Sequence, residues 1–237
     1  MTPTVKIFAD SAQLCQGALE LVLARIQTVL ARKDSVTLAL AGGSTPKALY
    51  QALAQEDLPW SRLQIFWGDE RYVPSDHPDS NQRMARQVWL DQVDFPAENI
   101  HPMPTQGADP QADAERYESE LARFFQVPAG SFPAFDLILL GLGDDGHTAS
   151  LFPHTPALGV KDRLVTVGAK DGQPRLTLTA PLINQAHCVC FLVGGAGKQA
   201  ALKAVLAPEG DPETYPARLI RPQGELIWLL DQACAGT

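Results

Sequence analysis

Short apolar runs that break at once into glycines and polar side chains recur along this 237-residue chain, and that recurrence constrains the fold more than any other feature. Val36-Thr-Leu-Ala-Leu40 runs into Ala41-Gly-Gly-Ser-Thr-Pro46, and Leu63-Gln-Ile-Phe-Trp67 runs into Gly68-Asp-Glu-Arg-Tyr-Val-Pro74. Phe135-Asp-Leu-Ile-Leu-Leu140 opens into Gly141-Leu-Gly-Asp-Asp-Gly-His-Thr-Ala-Ser-Leu-Phe-Pro153, and His187-Cys-Val-Cys-Phe-Leu-Val193 opens into Gly194-Gly-Ala-Gly-Lys198. Runs of this length and composition read as buried strands. Residues 5–8 and 225–230 have the same character and supply a first and a last strand.

The intervening segments carry helical spacing. Asp10 or Ser11 caps a helix to about residue 33, with Cys15, Leu19, Val22, Ile26, Val29 and Leu30 on one stripe. Residues 47–55 form a second helix, with Thr45 near its N-cap and Pro46 at its first position. Further helices are expected from Ser80 or Asn81 to about 92, over 109–126, and from the Gly194–Lys198 turn to about 206. Strands alternating with helices predict a three-layer α/β fold: a mostly parallel open sheet with helices on both faces, Rossmann-like in architecture. Residues 164–167 and 175–179 are compatible with an antiparallel pair, a small addition to that sheet. No linker, repeat or low-complexity tract interrupts the pattern, so one domain over residues 1–237 is expected.

In a mostly parallel sheet the carboxyl ends of the strands share one edge, where open α/β folds bind ligands. The residues collected there have complementary chemistry. Gly43, Ser44 and Thr45 lie between a strand and a helix start, where free N–H groups and the helix dipole point at an anion. Lys198, and less directly Arg218 on its own short loop, add positive charge. Asp69, Arg71, Asp145 and His147 would face a reacting carbon. Of these, His147 is the natural proton acceptor, since an unperturbed imidazole titrates near about 6.5 and is largely neutral at pH 7. Asp145 stands where it can orient that ring.

Other classes are disfavoured by specific residues. Gly141-x-Gly143-x-x-Gly146 has the dinucleotide spacing, but Asp144 and Asp145 occupy the place of a pyrophosphate and Pro153 stops a following helix. The glycine turn before Lys198 is not a nucleotide P-loop, because Leu192 stands for the first glycine and Gln199 for the hydroxyl. His147 and His154 lack the spacing of metal-binding pairs, so neither metal nor cofactor is expected. A net charge of −8 argues against nucleic acid as the main partner. Cys15, Cys188, Cys190 and Cys234 form no C-x-x-C pair and read as structural thiols. With neither a signal-peptide pattern nor an apolar run of membrane-spanning length, a cytoplasmic location away from membranes is expected.

Taken together, Ala41–Pro46, Trp67–Pro74 with Asp76-His-Pro-Asp-Ser-Asn81, Gly141–Pro153 and Gly194-x-x-x-Lys198 resemble, in order and over nearly the whole chain, the bacterial 6-phosphogluconolactonases. That family belongs to a larger group with the glucosamine-6-phosphate deaminase/isomerases. In the deaminases the histidine segment continues into Asn-Glu-Pro, whereas this chain has Ser150-Leu-Phe-Pro153. The resemblance implies metal-free hydrolysis of 6-phospho-D-glucono-1,5-lactone to 6-phosphogluconate in the oxidative pentose phosphate pathway. It implies His147 as general base, Arg71 as oxyanion or substrate stabiliser, and Asp145 or Asp69 as the group orienting the imidazole. The 6-phosphate falls to Gly43, Ser44, Thr45, Lys198 and Arg218. Because the aspartate matching Asp69 is the base in the related deaminases, Asp69 and His147 remain alternative proton acceptors. The implied partner is a small sugar phosphate, bound by a monomer or weak homodimer.

Overall fold

The computed structural model describes residues 3–128 and 130–237. In chain order the strands are β1 (Thr4–Phe8), β2 (Val36–Leu40), β3 (Leu63–Trp67), β4 (Asp69–Arg71), β5 (Leu137–Leu140), β6 (Val165–Lys170), β7 (Gln173–Leu178), β8 (Cys188–Val193) and β9 (Glu225–Asp231). The helices are α1 (Ser11–Leu30), α2 (Ser44–Leu53), α3 (Asn81–Ala85), α4 (Pro110–Phe124), α5 (Ala180–Ile183), α6 (Gln199–Leu206) and α7 (Gln232–Ala235). Six strands form a parallel sheet in the order β1-β9-β8-β5-β2-β3, and β4, β7 and β6 form a small antiparallel sheet. The expected mostly parallel α/β architecture with an antiparallel addition is therefore present.

The central strands are apolar on both faces because helices cover both. Every residue of β2, β5 and β8 is buried. α1 begins where Asp10 accepts the Gln13 N–H at 2.8 Å, and it buries the stripe Leu14, Ala18, Leu19, Val22 and Ile26. Trp228 of β9 stacks on Phe191 of β8 with ring centroids 3.8 Å apart. A second aromatic cluster of Phe66, Phe124, Phe125 and Phe135 packs β3 and β5 against the end of α4.

The strand order reverses between β2 and β5, and this sets the position of the site. The chain leaves β2 for β3 on one side, then crosses back to β5 on the other. Leu38↔Leu137 and Ala39↔Ile138 are the register pairs that join the two strands. At their amino ends they are pinned. The buried Asp136 carboxylate accepts the Thr37 N–H and hydroxyl, each at 3.0 Å, and the Lys33 ammonium at 2.6 Å; Thr37 Oγ1 in turn accepts the Asp136 N–H at 2.9 Å.

Several local expectations are adjusted. α2 starts at Ser44 rather than at residue 47, because Gly43 takes φ 107°, a conformation open to glycine, and turns the chain into the helix three residues early. α1 stops at Leu30, short of residue 33. α3 passes into a wider π-helical turn, Arg86–Leu90. The β6–β7 pair is longer than expected and closes on Asp171 and Gly172, both left-handed at φ 51° and 78°, as a two-residue hairpin turn requires. β4 joins that pair: Gly68 alone separates it from β3, donating its N–H to Leu40 and accepting from the Leu178 N–H. The chain end after β9 holds the short α7, capped by Asp231. Among the described residues no helix is long and apolar enough to cross a membrane.

The pin predicts a stability effect. Thr37→Val keeps the shape of the side chain and removes both hydroxyl bonds to Asp136, and should cost about 1–3 kcal/mol. It should appear as a lower urea midpoint with an unchanged slope.

Candidate active site

The segment after β5 is built to place one imidazole. Gly146 takes φ 81°, reversing the chain, so that the Gly143 N–H donates to the His147 carbonyl at 2.8 Å. Gly143 must lack a side chain, since a Cβ there would lie 2.0 Å from His147 Nδ1. Within this loop His147 Nδ1 lies 2.5 Å from Asp145 Oδ1, and the same oxygen accepts the His147 backbone N–H at 3.0 Å. Phe152 packs against the ring with centroids 4.4 Å apart. Burial pushes the His147 pKa below its ordinary value, against the opposing pull of Asp145 and, further out, Asp69. Burial works to raise the Asp145 pKa, but its bonds to the His147 backbone and ring outweigh this and hold it below the usual carboxylate range. Because a carboxylate can only accept, Nδ1 is the donor in this contact, which leaves Nε2 as the nitrogen available to take a proton.

β3 and β4 deliver the next groups. Asp69 is buried and lines the same cleft as His147. Arg71 donates from Nη1 to the Asp79 carbonyl at 2.6 Å, while its buried Nε has no partner. The Glu70 carboxylate between them organises the loop that holds Arg71. Its Oε1 accepts the N–H groups of Arg71 and Asn81 at 2.8 Å, and its Oε2 accepts from Gln82 N–H at 2.7 Å and the Ser80 hydroxyl at 3.1 Å. Burial nonetheless pushes the Glu70 pKa up, opposed by those backbone bonds. Asn81 in turn donates its amide to the Asp69 carbonyl at 2.9 Å.

The cleft also collects groups whose chemistry suits an anion. No side chain among the described residues caps the N-terminus of α2, so the first N–H groups of Gly43-Ser44-Thr45 face the cleft without a protein acceptor from a cap. The Gly194–Lys198 turn stands beside it and is held from behind by Asp231, whose carboxylate accepts the Gly195 N–H at 2.9 Å and the Cys234 N–H at 2.7 Å. Arg175 of β7 also lines the cleft. It lies over the Phe152 ring, 5.4 Å from the centroid, and burial followed by the nearby charge of Arg71 pushes its pKa down. Among the described residues no salt bridge engages Arg175 or Lys198. The cleft encloses about 290 Å³, enough for a small sugar phosphate. Among the described residues no three His, Cys, Asp or Glu side chains cluster as a metal site.

Most of the expected residues are therefore brought together: Gly43, Ser44, Thr45, Asp69, Arg71, His147 and Lys198 all line the cleft, with Asp145 behind the histidine. Arg218 is not. It is buried, and its Nη1 donates to the carbonyls of Ala204, Val205 and Ala207 at 2.7–3.0 Å, so its charge closes the C-terminus of α6 and is not available to a phosphate. Arg175 escaped the sequence reading because it lies on a strand with no glycine-rich motif; only the β4–β7 pairing, which sets Arg71 opposite Arg175, brings it to the site. Asn81 is legible in the sequence as a helix start and as the end of the Asp76–Asn81 motif, but not as a partner of Asp69.

The comparisons with known proteins agree with this geometry. The family described as glucosamine-6-phosphate isomerases/6-phosphogluconolactonase matches residues 9–228. The chain is 66% identical to a 6-phosphogluconolactonase of Synechocystis over 98% of its own length and 97% of that protein, and 55% identical to one of Nostoc over the same shares. A solved 6-phosphogluconolactonase from Trypanosoma brucei superposes with a TM-score of 0.87 at 34% identity, covering 99% of this chain and 98% of that one. The chain belongs to the glucosamine-6-phosphate isomerase/6-phosphogluconolactonase family, and within it to the 6-phosphogluconolactonases.

Proposed function

We propose that the chain hydrolyses 6-phospho-D-glucono-1,5-lactone to 6-phospho-D-gluconate by general-base activation of water, without a metal ion. It would do so in the cytoplasm as a monomer or weak homodimer. The observation that carries the reading is the Asp145–His147 pair at 2.5 Å, set on the wall of a cleft also lined by Arg71, Arg175 and Lys198.

The phosphate sits against the α2 N-terminus and the Gly194–Lys198 turn, with the Lys198 ammonium and the Arg175 guanidinium supplying charge. That anchoring presents the lactone carbonyl to His147 and converts an encounter into a positioned attack. His147 Nε2 takes a proton as water adds to C1, and a C–O bond forms while the carbonyl electrons move onto oxygen. Arg71 stabilises this oxyanion. Collapse breaks the bond from C1 to the ring oxygen, which receives the proton from the imidazolium, and the new carboxylic acid ionises to release one proton to solvent. Asp145 stabilises the imidazolium between the two steps and keeps Nε2 as the basic nitrogen. Low solvent access around the ring favours the neutral form in the resting enzyme, as a base requires.

Proton release from freshly prepared lactone, corrected for spontaneous hydrolysis, tests the reading directly. His147→Ala should lower kcat by about 10²–10⁴-fold with little change in KM. Glucosamine 6-phosphate should release no ammonia. Undiminished kcat in the variant would remove His147 from the mechanism, and ammonia release would replace the lactonase with a deaminase.

Lys198→Ala and Arg175→Ala should each raise KM by about tenfold or more with a smaller effect on kcat, as loss of a charged contact to a phosphate implies. An unaltered KM in both would place the phosphate elsewhere.

The pH profile carries a sign. Because the His147 pKa lies below 6.5, kcat/KM should persist as pH falls through 6.5 and decline only below it. Asp145 favours the protonated ring, so Asp145→Asn should move the acid limb to still lower pH while reducing kcat through loss of ring orientation. An acid limb that moved upward would contradict the assigned pair.

A further inference from the structure

Three residues beyond His147, Ser150 is wholly buried, and its hydroxyl donates to Asp69 Oδ2 at 2.6 Å. Its backbone is held on both sides. Ala149 takes φ 49°, a left-handed conformation that costs a non-glycine residue about 1 kcal/mol or more, and so turns the chain from the cleft back into the protein. The Ser150 N–H donates to Thr177 Oγ1 at 3.2 Å, and Thr177 lies directly opposite Asp69 in the β4–β7 ladder. The Ser150 carbonyl packs on Gly168 of β6, where a Cβ would come within 2.2 Å. A serine this enclosed cannot reach substrate. No bond among the described residues engages Asp69 Oδ1, and Asp69 lines the cleft that holds His147.

We propose that Ser150 is a positioning residue: by saturating Oδ2 it fixes the Asp69 carboxylate with Oδ1 toward the cleft, where it accepts a hydrogen bond from the attacking water and directs that water's second proton to His147 Nε2. The assignment rests on the lactonase reading above. It gives the two carboxylates of the site separate tasks, Asp145 holding the base and Asp69 holding the nucleophile. A carboxylate free to rotate would present either oxygen at several angles, and the nucleophile would lose its fixed direction of approach.

The test is a double-mutant cycle on purified protein with the phospholactone, with thermal unfolding followed for each variant. Ser150→Ala should lower kcat about tenfold, as expected for one bond to a charged group, with KM within about twofold and the variant folded at assay temperature. In an Asp69→Ala background the same substitution should change kcat less than about twofold, because the group it acts through is already gone. Equal losses in both backgrounds, a loss confined to KM, or full activity in Ser150→Ala would each overturn the assignment while leaving the lactonase reading intact. Wild-type protein that fails to accelerate lactone hydrolysis would overturn both.

Discussion

The reversal of strand order between β2 and β5 is the constraint on which the site depends. Neighbouring parallel strands normally continue their ladder to the end, and the connections above them fill the space. Here the connections depart in opposite directions, and two register pairs join the strands. At their amino ends the buried Asp136 carboxylate is satisfied by Thr37 and Lys33. The segments that line the crevice leave directly from the carboxyl ends of the strands.

Charge follows from that geometry. The protein is acidic overall, with a net charge of −8, yet Arg71, Arg175 and Lys198 all line the cleft. Burial, and then the nearby charge of Arg71, push the Arg175 pKa down, while Asp69, Glu70 and Asp79 pull the other way. Carboxylates do the holding from behind. Glu70 organises the Arg71 loop, Asp231 the glycine turn before Lys198, and Asp145 the imidazole. Each uses its oxygens on backbone N–H groups, and Glu70 and Asp145 also bind a side chain, so the loops that carry the chemistry are held without regular secondary structure.

The small antiparallel sheet makes the second half of the site. It begins one residue after β3, and its pairing places Asp69 opposite Thr177 and Arg71 opposite Arg175. Through Thr177 and Gly168 it also receives the strained turn at Ala149, so that the histidine segment is clamped between the two sheets. Strain at Ala149 is thereby offset by well-packed surroundings, the usual circumstance in which such a backbone persists.

The sequence by itself determined the alternation of strands and helices, the mostly parallel sheet, and the gathering of Gly43–Thr45, Asp69, Arg71, His147 and Lys198 at one edge. All of this is written in local patterns, since an apolar run followed by glycine and polar residues has one stable use in an α/β protein. Only the tertiary structure decided the partners. Arg218 looked like an anion ligand because an exposed basic loop and a helix-capping guanidinium have the same sequence, and only the nearby end of α6 separates them. Arg175 was silent, and Ser150 was legible only as part of a family motif, because their roles come from pairing across β4 and β7 and from a left-handed turn. Both are long-range or conformational facts that no spacing along the chain encodes.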